Sequence, residues 1–209
     1  MNSKTKSYIW DIFAAFVYVA LGVLGLRLAS LNASVSPIWP AAGWALAILQ
    51  FRGFRAWPII FISAVITNLT TGSAILTSLS IAFGNTSEAL AGLYLIKFLE
   101  KKSSQQFALR DLTSMLVIAL VSPVTAATVG TTTLYGAGIV PAAAIKDVWL
   151  TWWTGDGLGV LVFYPMMSSI TNKNLKDVFA TLKGKMFIQI SWIVAAIVCG
   201  YWVFGSEGN

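Results

Sequence analysis

Two acids stand where almost nothing else is polar. Asp156 lies between two glycines in "TWWTGDGLGVLVFYP" (151–165), and Glu88 lies in "IAFGNTSEALAGLYL" (81–95). Both stretches are otherwise apolar enough for hydrocarbon, where an ionised side chain is costly, so each acid is a functional candidate by default. Carboxylates can take up a cation or a proton, and two held close together share one proton. They could also serve an intramembrane aspartyl protease. That chemistry needs a G-x-G-D motif, and here Asp156 follows Trp153-Thr154-Gly155. The chain has no histidine, and no nucleophile has an adjacent base, so no catalytic residue is assigned.

The residues around each acid suggest a polar cavity. Asn85 precedes Glu88 by three positions and Gly84 by four, which puts all three on one helix face. Gly92 continues that face and admits a close neighbour. Gly155, Gly157 and Gly159 favour a local break around Asp156, of the kind that lines cavities. Trp152 and Trp153, about a turn nearer one end, read first as interfacial anchors and second as pocket walls. Asn68 reads as interhelical glue or as a pocket residue, and so does Asn85. Trp39, in the proline-rich "SPIWPAAGW" (36–44), belongs to a rigid entrance or to ordinary helix initiation. Arg27 either snorkels at a helix end or neutralises one of the acids. An acidic lining suits a cation or an amine if Arg27 does not neutralise it.

Composition shows what must position these residues. Of the 209 residues 57% are hydrophobic and only 11% charged, and the mean hydropathy is +0.76. A water-soluble domain carries about a quarter charged residues. The expected fold is therefore all-α: a polytopic bundle of about seven transmembrane helices forming one domain in a lipid bilayer. The spans are expected near 8–29, 37–51, 56–73, 74–98, 112–136, 141–168 and 187–204. With a cytoplasmic N-terminus, all fourteen basic residues except Arg27 and Lys146 fall on the inner side. The positive-inside rule predicts such a bias. The net charge of +6 is thus topogenic and argues against nucleic acid as a partner. On this map Glu88 and Asp156 lie at the same depth, roughly 21–22 Å below the outer ends of their helices.

The absence of histidine and the single Cys199 leave no ligand set for haem, zinc or an iron–sulfur cluster. No cofactor and no metal is expected, and Cys199 is expected to pack as a small apolar side chain.

Four stretches together resemble a known family: "SPIWPAAGWALAIL", "RGFRAWPIIFISAVITNL", "GNTSEALAGLYLIKF" and "WLTWWTGDGLGVLVFYP". In that order and spacing they resemble the bacterial membrane-associated sensor domain family, MASE type one, over roughly residues 10–205. The matching positions are Trp39, Pro40, Gly43, Trp57, Pro58, Asn68, Asn85, Glu88, Gly92, Trp152, Asp156, Gly159 and Pro165. The resemblance implies an inner-membrane input domain for a histidine kinase, a diguanylate cyclase or a PAS module. It names no ligand. The family pattern has eight helices, so this chain is expected to stop before the last helix and the output domain.

The expected function is sensory: a signal molecule or membrane partner binds in an outer-facing polar cavity, and a helix shift passes to a cytoplasmic output domain. A second copy of the chain is an admissible partner. The alternative is a transporter-like solute-binding subunit, which also uses broken helices and mid-membrane acids.

Overall fold

The computed structural model describes residues 3–27, 35–101 and 107–172. The expected span 187–204 with Cys199, and the basic residues Lys102, Lys173, Lys176, Lys183 and Lys185, lie outside the described residues. Those described are all-α, with no strand.

Eight helices follow in order: α1 Ser3–Arg27, α2 Pro40–Arg52, α3 Trp57–Leu69, α4 Ile75–Lys101, α5 Phe107–Val121, α6 Pro123–Gly136, α7 Ile145–Leu158 and α8 Tyr164–Asn172. Prolines set several starts. Pro40, Pro58 and Pro123 each sit in a first turn, where the missing N–H has no helical partner to lose. Gly53, with φ 78°, ends α2 while its N–H closes on the Leu49 carbonyl. The expected span 112–136 is two helices joined at Ser122-Pro123, because proline cannot supply the hydrogen bond that would continue the first. The expected span 141–168 is α7, a π-helical turn at Gly159–Phe163 and α8, running on without a gap.

Two helical stretches are long and apolar enough to cross a membrane, Ser7–Arg27 and, taking α5 and α6 together across Ser122, Thr113–Gly136, and Phe54–Leu69 is a shorter apolar one. The distribution of side chains points the same way. Ile12, Phe16, Leu76 and Phe83 face outward, each more than 60% exposed. Ser63, Thr67, Asn68, Ser78, Asn85, Glu88, Thr131 and Asp156 are buried. An apolar exterior around polar side chains suits a lipid solvent and reverses the usual economy of a soluble protein.

α2 is the centre of the bundle. Every residue from Pro40 to Leu49 is buried, and the helix packs against α1, α4, α8 and the π-turn. A helix apolar all round belongs in a core. Its many small residues (Ala41, Ala42, Gly43, Ala45 and Ala47) let neighbours approach closely. Around it α1 packs on α3, α3 on α4, α4 on α6, and α6 on α7.

One end of the bundle gathers positive charge. Arg52 pairs with Asp11 at 2.8 Å, donates to Ser7 and lies 5.5 Å from the Trp10 ring. Lys97 sits 4.5 Å from the ring of Phe54. The N-terminal part of α1, the α2–α3 turn with Arg55 and the C-terminal part of α4 therefore share this end.

Candidate functional site

The acids enter the bundle from the opposite end. Glu88 is thirteen residues into α4 and Asp156 eleven into α7, so both lie about 16–20 Å from their helix starts. Both face inward, 4% and 1% exposed. Their side chains are direct neighbours, within hydrogen-bonding reach of each other.

A third helix contributes Tyr18, 1% exposed. Its hydroxyl reaches the side chains of Asn85 and Trp39, with both acids close by. Trp152, one turn before Asp156, is within hydrogen-bonding reach of its carboxyl. A small pocket adjoins this cluster, lined by Val35, Ser36, Trp39, Asn68, Ile81, Asn85, Trp152 and Asp156. It leaves about 10 Å³ for the centre of a water molecule, the scale of one water.

The backbone of the 36–39 segment forms one wall and is laid directly on α7. The Trp39 N–H donates to the Gly155 carbonyl at 3.0 Å. A Cβ on Gly155 would meet the Ser36 carbonyl oxygen, and one on Gly159 the Trp39 carbonyl oxygen. The expected helix break at these glycines is thus not what forms. α7 runs unbroken to Leu158, and the glycines make room for another chain segment. Irregularity enters at the third of them, Gly159, where the π-turn begins, a geometry often found near functional sites.

The expected site residues divide cleanly. Glu88, Asp156, Asn85, Asn68, Trp39 and Trp152 come together around the pocket. Asn68 also donates to the Ala64 carbonyl at 2.8 Å, which fixes its amide. Trp153 lies elsewhere: its indole donates to the Leu120 carbonyl at 2.8 Å and stacks on Trp149. Successive helix residues differ by about 100° in direction, so adjacent tryptophans cannot both face one pocket. Arg27 is exposed at the end of α1, about 13 Å along the axis from Tyr18. Among the described residues the ion pair is Arg52–Asp11, and neither pocket acid has one.

Tyr18, Ser36 and Ile81 were not anticipated from sequence. For Tyr18 a signal existed: a phenol in the middle of a long apolar run needs a hydrogen-bond partner. Among the described residues, no group of three or more His, Cys, Asp and Glu side chains converges to hold a metal.

Three polar atoms of the cluster are left over. Asn85 Oδ1, Glu88 Oε1 and Asp156 Oδ2 are buried without a hydrogen-bond partner. The family model for MASE1 matches residues 10–205. No curated protein and no solved structure matches the chain.

Proposed function

The chain belongs to the MASE1 family of membrane-associated sensory domains, and on that premise we propose that its signal is received at the Glu88–Asp156 pocket. The domain passes the signal to a cytoplasmic histidine kinase or diguanylate cyclase module in the inner membrane of a bacterium. One observation carries this reading. The pocket is assembled from α3, α4, α7 and the segment before α2, with Tyr18 of α1 beside it, so an occupant touches several helices at once. Binding that favours one packing of those helices shifts a two-state equilibrium. α4 offers the route, since it carries Asn85 and Glu88 at the pocket and Lys97 at the basic end. The small cavity argues against carriage of a metabolite-sized solute, because pockets for such solutes run to several hundred Å³.

The orientation follows the basic residues. Arg52, Arg55 and Lys97 share one end, which the positive-inside rule assigns to the cytoplasm. Reporters fused after Gly72 or Gly138 are expected to register outside the cell, and fusions after Lys102 or Lys176 inside. A cytoplasmic signal at Gly138 would reverse the assignment.

The relay is testable in the chain itself. Spin labels at Arg55 and Lys97, both exposed, report the basic end. Asp156→Asn is expected to shift the distance between them, although it acts more than half a helix away. An unchanged distance would remove the relay. Net accumulation of solute by vesicles containing the protein would turn the reading to transport.

A further inference from the structure

We propose that the pocket holds one compact monovalent cation, of the alkali or ammonium class. The inference rests on the pocket's being the sensing site, and it names the chemistry of what is sensed.

The leftover atoms decide the sign of the occupant. Asn85 Oδ1, Glu88 Oε1 and Asp156 Oδ2 belong to side chains 6%, 4% and 1% exposed, and none has a partner. An amide oxygen accepts only, and so does an ionised carboxylate. Buried acceptors left unmatched are costly. Their complement is a group that only donates or is positively charged.

Among the described residues, no side chain supplies that charge. Arg27 is exposed at the end of α1, and Arg52 is engaged by Asp11 at the other end of the bundle. α3, α6 and α8 carry no charged residue, and α2 carries only Arg52. Of the titratable groups here, Asp156 from α7 lines the pocket, and Glu88 from α4 and Tyr18 from α1 lie beside it.

Size and valence narrow the class. Room on the scale of one water excludes organic amines and hydrated complexes. Two carboxyl groups this close do not both stay ionised without a counter-charge, and with one proton between them the pair carries one negative charge. A monovalent ion neutralises that charge. Magnesium keeps several waters in an octahedral shell, and calcium asks for six to eight oxygens.

The test uses the purified chain in lipid nanodiscs. Lithium, sodium, potassium and ammonium chlorides are titrated against choline chloride at constant ionic strength, at neutral and at mildly acidic pH. Tryptophan fluorescence and thermal unfolding are the readouts. At least one small cation should give a saturable fluorescence change and raise Tm by roughly 5–10 °C at a hundredfold excess over Kd. Acid should weaken the binding as protons compete. Asp156→Asn and Glu88→Gln should each lose the response while still melting cooperatively, and Gly136→Ala should keep it. Identical behaviour in choline and in all four salts would overturn the proposal, as would a response to pH alone or to calcium alone. Such a failure would leave the sensory reading standing, because the spin-label distances test that separately.

Discussion

Replacing Gly155 by alanine is expected to destabilise the folded bundle by about 2–3 kcal/mol, at the upper end of the usual range for overpacking. The added methyl group would meet the Ser36 carbonyl oxygen, with the Pro37 and Ser36 carbonyl carbons each 3.3 Å away. These are backbone atoms, and no rotamer change can move them aside. The segment cannot easily swing away either. Trp39 is tied by its N–H to the Gly155 carbonyl, and Pro37 and Pro40 stiffen the chain on both sides. Gly136→Ala is the control, since a Cβ there meets nothing within 4 Å. It should be neutral or slightly stabilising. Equilibrium unfolding in mixed micelles measures both, and equal midpoints for Gly155→Ala and the parent chain would refute the close packing of 36–39 on α7. The effect should also reach the pocket, because Ser36 and Trp39 are among its walls.

The second large effect is expected between the acids themselves. Asp156→Leu removes one member of a buried pair and strands Glu88, so it should cost about 1–3 kcal/mol. Asp156→Asn keeps the shape, offers a donor to Glu88 and should cost less. Adding Glu88→Leu to Asp156→Leu should cost less than the sum of the single changes, since the stranded partner is gone. A coupling energy between about 0.5 and 3 kcal/mol is the expected range for residues in contact. Additivity within about 0.5 kcal/mol would show that Glu88 and Asp156 make separate contacts rather than a pair.

Which of these features could be read from sequence depended on the kind of information each needs. The nearness of Glu88 and Asp156 to each other was legible, because residue count and helix rise set them at a similar distance from the same end of their helices and hydrocarbon penalises charge. The face of a helix is harder, since it depends on neighbours the residue has not yet met. Trp152 and Trp153 could not be separated for that reason, yet one lines the pocket and the other stacks on Trp149. Tyr18 was invisible as a site residue although its hydroxyl had to go somewhere. The glycines near Asp156 were read as weakness, and they turn out to mark contact. Gly159 and Gly43 lie so close that a Cβ on Gly43 would strike the Gly159 carbonyl and stand 2.6 Å from the Tyr164 nitrogen. α2 is short and begins in a proline-rich stretch. Its wall-to-wall burial explains why no polar stripe marks it.

The π-turn at Gly159–Phe163 sets the phase of everything that follows it on the span. A π-turn inserts one residue into an α-helix, which advances the following face by about 100° relative to an uninterrupted α-helix. Tyr164, the first residue beyond it, is buried, and α8 lies along α2. If the inserted residue were absorbed into regular α-helix, α8 would turn by the same angle and move onward along the axis by about 1.5 Å. Tyr164 would then rotate off α2. The span thus contains a screw thread with one spare position, placed immediately after Asp156. Axial movement at the acid is convertible there into rotation.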